Sequence, residues 1–297
     1  MQIKQKKRGA NVIGRCVFLL PVFVLFSLFF IYPFVFTVIT SFAKWNGIGA
    51  MEFAGISNYI KLFANTTFRK AIANNIIWAL SQGFIQVPLA CIVAMILVRK
   101  PKGWHFLRAV YYLPNVISTV ALAVVWVAIY NVSGPLNALL KILLDSEAKN
   151  WLGNPETALS AVIFQTVIYI GYFMLILYAS ALTIPQELYE AAQIDGASSL
   201  QQEWHITLPL LKESLITTIT LAMAYGMRHF EATYLMTGGG PAYATTTMGI
   251  TLYQKMDSLR YSEASTTGVF LILTGTFVIV LIRKIFSDHD TLSDTAQ

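Results

Sequence analysis

Residues 16–42 read CVFLLPVFVLFSLFFIYPFVFTVITSF, a run without one Asp, Glu, Lys, Arg or His. An α-helix rises about 1.5 Å per residue, so about 20 apolar residues cross the roughly 30 Å hydrocarbon layer of a bilayer. This run is long enough to do so. Its two prolines, Pro21 and Pro33, are tolerable where neighbouring helices surround it. Lys4, Lys6, Lys7, Arg8 and Arg15 precede it. It is too long for a signal-peptide core and lacks a clear small-residue cleavage site, so it reads as a retained span.

Five further apolar segments follow, over about 72–98, 107–130, 158–182, 210–236 and 262–286. Across its 297 residues the chain is 56% hydrophobic and only 12% charged, against about a quarter charged in soluble domains. Its mean hydropathy is +0.60. A soluble fold of this composition would expose adhesive apolar patches, whereas lipid accommodates them. The fold class is therefore all-α: one polytopic bundle of six transmembrane helices over 16–286, flanked by a segment 1–15 and a tail 287–297.

The net charge of +6 does not point to nucleic acid, because the basic residues sit beside apolar segments rather than in a stripe on a polar domain. They orient the chain instead. With the N-terminus inside, the inner segments carry twelve Lys and Arg and the outer ones eight, which favours both termini in the cytoplasm. Cys16 and Cys91 lie far apart in apolar stretches, so neither a disulfide framework nor a metal site is expected. The outer connections 43–71, 131–157 and 237–261 read as polar, with turn signals such as Gly238-Gly239-Gly240-Pro241.

The inner connection 183–209 is unusual. An inner loop should be basic, yet 183–213 holds Glu187, Glu190, Asp195, Glu203 and Glu213 against Lys212 alone. An anionic leaflet would repel it, so it calls for a protein partner. Pro185 suits the first position of a helix, Glu187 favours the positive end of its dipole, and Gly196 can end it in the left-handed conformation. Ser199 with Gln202 then reads as a capping box for a second short helix, and Pro209 would open the fifth span. An inert amphipathic connector would satisfy the same pattern.

Glu190-Ala191-Ala192, three residues, Gly196, nine residues, then Ile206-x-Leu208-Pro209 resembles the EAA signature of bacterial ATP-binding-cassette (ABC) importer permeases. The flanks Pro185-Gln186-Glu187-Leu188 and Ile194-Asp195-Gly196-Ala197-Ser198 resemble its carbohydrate-uptake branch. Tyr234 to Pro241, with Thr245 and Tyr253, looks like the T-G-G-P loop of the maltose- and glycerol-phosphate-type permeases. One departure is Lys212-Glu213, where many relatives carry a proline. The resemblance implies that Glu187, Glu190, Ala191, Ala192, Asp195, Gly196, Ile206, Leu208 and Pro209 form a coupling helix seated on an ATPase. It implies as partners a second homologous permease subunit, two cytoplasmic ATPase subunits, an extracellular sugar-binding protein and a sugar. ATP and Mg would be used by the ATPase, with no cofactor bound by this chain.

Polar residues within the spans are candidates for the substrate path. Asn75, Trp78, Gln82 and Gln86 share one face of the second segment, and Gln165, Tyr169 and Tyr172 one face of the fourth. Both stripes suit a sugar, and both would equally serve hydrogen bonds between helices. In the fifth segment Arg228 falls about 6 Å beyond the midplane and Glu231 about 10 Å, flanking His229. Arg228 and Glu231 either contact ligand or satisfy each other at i,i+3 spacing; an Arg on the path would also suit a sugar phosphate or uronate. No phosphate-binding loop or hydrolase motif occurs, so the chain is not expected to be an enzyme. A self-sufficient secondary transporter would show inverted repeats, which are not visible. An intramembrane enzyme would have to rely on His229 near Glu231.

Overall fold

The structure, a computed structural model, describes residues 17–287. The expected segment 1–15, Cys16 and residues 288–297 of the expected tail lie outside the described residues. The described residues are mainly helical: α1 (Val17–Ser41), α2 (Ser57–Ala64), α3 (Thr66–Val98), α4 (Trp104–Asn115), α5 (Thr119–Ile129), α6 (Pro135–Leu144) and α7 (Ala158–Ala181). Then come α8 (Gln186–Ile194), α9 (Ser199–Leu210), α10 (Lys212–Met227), α11 (Glu231–Thr237), α12 (Met248–Asp257) and α13 (Tyr261–Ser287). Two strands, Ala43–Lys44 and Glu52–Phe53, form a small antiparallel ladder between α1 and α2.

Among the described residues α1, α3, α7 and α13 are each long and apolar enough to cross a bilayer as one span, α7 with an irregular turn at 168–170. The other two expected spans are not continuous. The third, expected over 107–130, is bent by 94° between α4 and α5. Pro114 sits in the last turn of α4 and cannot extend the hydrogen-bond ladder; Ser118, in an extended conformation, caps the restart by accepting from Ala121 N at 3.3 Å. The fifth, expected over 210–236, breaks at residues 228–230. Its first part, α10, spans about 24 Å, and the helix resumes after the break as α11. A 69° bend also separates α9 from α10.

Three π-helical turns, Ser27–Ile31, Gln82–Gln86 and Glu203–Thr207, each end two residues before a proline: Pro33, Pro88 and Pro209. The cause is shared. Proline has no N–H to give to the carbonyl four residues back, and its ring crowds that carbonyl, so the preceding turn widens.

At the core, Phe173, Met174 and Leu177 of α7 pack with Val87, Ala90 and Ala94 of α3 and Ala222 of α10. Gly226 of α10 lies so close to α3 that an added Cβ would stand 2.5 Å from the Ala79 backbone. Helices in lipid associate through such close approach, because lipid gives no hydrophobic drive between them. The outer connections are more ordered than their polarity suggests. Residues 131–157 contain α6, whose Leu139, Ile142, Leu143 and Leu144 are exposed. Residues 237–261 contain α12 and the buried Thr245, Thr246 and Thr247.

Candidate substrate cavity and coupling elbow

The seven residues expected on the substrate path, Gln82, Gln165, Tyr169, Tyr172, Arg228, His229 and Glu231, all line one cavity of about 530 Å³. Three breaks in helices meet there. Asn115 and Ile117 come from the α4–α5 bend, Thr166 and Tyr169 from an irregular turn within α7, and Arg228, His229 and Phe230 from the α10–α11 break. Non-helical backbone at membrane depth survives only where protein or a cavity satisfies its polar groups. Here α3 supplies them. Gln86 Nε2 donates to Thr166 O at 3.0 Å and Tyr169 O at 3.1 Å, holding the turn in α7. Asn75 Nδ2 donates to Gly226 O at 3.1 Å and Met227 O at 2.9 Å, while its Oδ1 accepts from Met248 N at 2.8 Å. Asn74 Nδ2 likewise reaches Ala244 O and Thr246 O, pinning the segment after the glycine loop.

The polar stripe of α3 thus divides. Asn75, wholly buried, is a structural clamp, and Gln86 clamps backbone while also lining the cavity. Among the described residues Gln82 Oε1, Gln86 Oε1 and His229 Nε2 are buried without a hydrogen-bond partner. The amides of Gln82, Gln86 and Gln165 line the cavity, and an amide both donates to and accepts from hydroxyls, so the wall suits a hydroxylated ligand.

Arg228 and Glu231 form no ion pair among the described residues. The helix ends between them, so i,i+3 spacing no longer places them on one face. The guanidinium lies 4.5 Å over the Tyr225 ring instead, and both charged side chains are exposed in the cavity. The His229 ring stacks on Trp78 with centroids 3.6 Å apart, and its Nε2 makes no bond that would build a dyad with Glu231. Tyr225, Asn115 and Phe230 also line the cavity and escaped sequence reasoning. Pro114 was the available signal for Asn115, whereas Tyr225 and Phe230 read as ordinary apolar positions of a span.

The elbow is α8 and α9. Pro185 stands just outside the helix as its N-cap, one place earlier than expected, with Glu187 in the first turn. Gly196 has φ +81°, the left-handed turn that glycine adopts without strain, and Ala197 N donates back to Ala192 O at 2.8 Å. The capping box is formed by Ser198 and Gln201, one residue before the expected Ser199 and Gln202, because the chain leaving Gly196 is already extended at Ser198. Arg99 at the end of α3 donates from Nε to Glu203 Oε1 at 2.6 Å and from its terminal nitrogen to Ser199 O at 2.9 Å. Tyr189 OH and Thr207 Oγ1, 2.9 Å apart, join α8 to α9.

No residue of α8 is buried. Glu187, Glu190, Ala191, Asp195 and Gly196 are exposed and Ala192 half-buried; Ile206 and Leu208 are half-buried and Pro209 exposed. Around them Ile194, Leu200 and Trp204 are 87, 68 and 63% exposed. An acidic helix rimmed with exposed apolar side chains on a braced base has the anatomy of an interface. Trp204 was missed from sequence, although a tryptophan among charged loop residues was signal enough.

An all-helical bundle with broken helices around a polar cavity, and an exposed elbow outside it, is the architecture of a membrane permease. Residues 86–289 match the family described as binding-protein-dependent transport system inner membrane component. The chain is 36% identical over 274 residues to the probable ABC transporter permease protein YurN of Bacillus subtilis, covering 88% of this chain and 92% of that one. It is 34% identical over 234 residues to the trehalose/maltose transport system permease protein MalF of Thermococcus litoralis, covering 78% and 79%. Its fold matches a chain in the crystal structure of a bacterial ABC transporter involved in the import of the acidic polysaccharide alginate, with TM-score 0.82 and 20% identity over 97% of this chain and 99% of that one. The chain belongs to the family of binding-protein-dependent transport system inner membrane components.

Proposed function

We propose that this chain forms half of the path of an ATP-driven importer for a sugar or oligosaccharide. It pairs with a second, homologous permease subunit, is driven by two cytoplasmic ATPase subunits, and receives its substrate from an extracellular sugar-binding protein. The elbow lies in the cytoplasm, as do both termini. ATP and Mg act in the ATPase; this chain binds neither and catalyses no reaction. ATPase closure pushes on α8, Arg99 passes the load to α3, and α3 is bonded through Asn75 and Gln86 to the broken helices that line the cavity.

The observation that carries this reading is the exposed, acidic, braced elbow, with none of its first helix buried. A saccharide is supported by the glutamine amides that line the cavity beside Tyr169, Tyr172 and Tyr225, and by the trehalose/maltose relative. Arg228 also suits an anionic sugar, such as a sugar phosphate or uronate, and that second reading rests on its exposure in the cavity without a carboxylate partner. Purification of the chain from its native membrane in mild detergent tests the assembly. A stoichiometric ATPase should accompany it. Active uptake by the isolated chain in vesicles, driven by an ion gradient, would refute the assignment.

A further inference from the structure

A second cavity, of about 550 Å³, lies between α5, α6 and α7 and differs from the first in chemistry. Its polar atoms are all engaged. The Trp126 indole N–H bonds to Tyr169 OH, Tyr130 OH donates to Ala161 O at 2.8 Å, and Trp151 Nε1 donates to Asn137 Oδ1 at 3.0 Å. Ser160 Oγ donates to Thr157 O at 2.9 Å. What these residues turn toward the cavity is hydrocarbon and ring face, together with the half-exposed Leu139 and Phe164. A hydroxylated guest would find few partners there and would lose most of its hydrogen bonds to water. A hydrocarbon guest gives up no hydrogen bond on entering, and its contacts with the rings and side chains replace those it had in the bilayer.

We propose that this cavity holds an acyl chain of a phospholipid from the outer leaflet, with α6 lying in the headgroup layer above it. Three further observations favour lipid over another protein. The lining is rich in Trp and Tyr, with Trp126, Tyr130 and Trp151 all on it, the residue types that gather at the boundary between membrane and water. Lys149 stands beside that lining, its ammonium 5.7 Å over the Trp151 ring, and would serve a lipid phosphate there. Its backbone is fixed by two bonds to Asn137, at 3.1 and 2.9 Å. Finally, Ile142, Leu143 and Leu144 of α6 are 80, 67 and 71% exposed in a helix only ten residues long, too short to span and suited to lying flat in an interface. The inner wall of the site is Trp126, whose bond to Tyr169 touches the substrate cavity, so the occupant sits one side chain from the path.

The test is photolabelling of the complete transporter, reconstituted in vesicles of phosphatidylglycerol carrying a diazirine on one acyl chain. Peptide mapping should find label on Leu139 and Phe164 as well as along α1, whose side chains face outward. Ser160→Trp, which fills the cavity from an exposed position, should cause severalfold loss of the Leu139 and Phe164 label and leave that of α1 unchanged. Pro135→Trp fills it from α6, also from an exposed position, and should do the same, so the outcome does not depend on one variant folding. Label on α1 with none in the cavity, or cavity label indifferent to both substitutions, overturns the proposal. So does a photoreactive residue at position 139 that crosslinks to the partner permease or the binding protein instead of lipid.

Discussion

Arg99 Nε donates to Glu203 Oε1 across 2.6 Å, and the same guanidinium reaches the Ser199 carbonyl at 2.9 Å. The end of the longest core helix is thereby fastened to the second limb of the elbow. Two charge-assisted bonds from one side chain fix direction as well as distance. Arg99 is 37% exposed at its side chain, so solvent screens the pair and its worth lies in geometry more than in stability.

Arg99→Ala should therefore leave folding and ATPase association in place while weakening transmission. In proteoliposomes uptake should fall about fivefold, the consequence of losing roughly 1 kcal/mol of coupling, with ATP hydrolysis retained. Arg99→Lys restores charge without the fork and should recover only part of the loss.

Asn75→Leu should act on the fold. It leaves the Met227 carbonyl and the Met248 N–H without the Asn75 partner, and the Gly226 carbonyl with only His229 N at 3.2 Å. Unsatisfied buried groups cost about 1–3 kcal/mol each, and lipid offers no water to replace the lost bonds. Thermal unfolding in detergent should shift downward, with loss of uptake to match. An unchanged melting profile would show that the α10–α11 break is held by something else.

Arg228→Ala should spare stability, because the side chain is exposed in the cavity and pairs with no carboxylate among the described residues. Its effect belongs to substrate. The apparent KM for the transported saccharide should rise about tenfold or more, since a hydrogen bond to a charged group contributes roughly 1.5–3 kcal/mol. Unaltered transport kinetics would place Arg228 off the path.

Gly196→Pro should separate hydrolysis from uptake. Proline holds φ near −65°, whereas Gly196 sits at +81°, so the elbow cannot keep its angle. Glu190→Lys reverses the charge of an exposed α8 residue without touching the turn. Both variants should lose uptake while ATPase subunits still hydrolyse ATP, measured side by side in one preparation.

The six apolar segments were legible because hydropathy is a local property, and α1, α7 and α13 begin and end close to where composition changes. The breaks were not. An average over 20 residues does not register three residues of open backbone at 228–230, and the group that makes this break tolerable, Asn75, lies on another helix. Asn75 and Gln86 were correctly seen as polar and inward, but a stripe of amides looks the same whether it faces sugar or carbonyls. The elbow lay within reach because its turn depends on one glycine and its helix on nearest neighbours. Its brace by Arg99 did not, because that contact spans about a hundred residues of sequence. The seven cavity residues came from three segments and converge in the fold, and only their polarity in apolar surroundings marked them.

A photoreactive residue in place of the exposed Ala191, introduced into the assembled transporter and irradiated in the native membrane, tests the central claim most directly. The elbow account predicts an adduct between this chain and the ATPase subunit, strengthened or weakened by ATP. Full uptake activity with no ATPase adduct from position 191, nor from position 187 or 194 of the same helix, would contradict it.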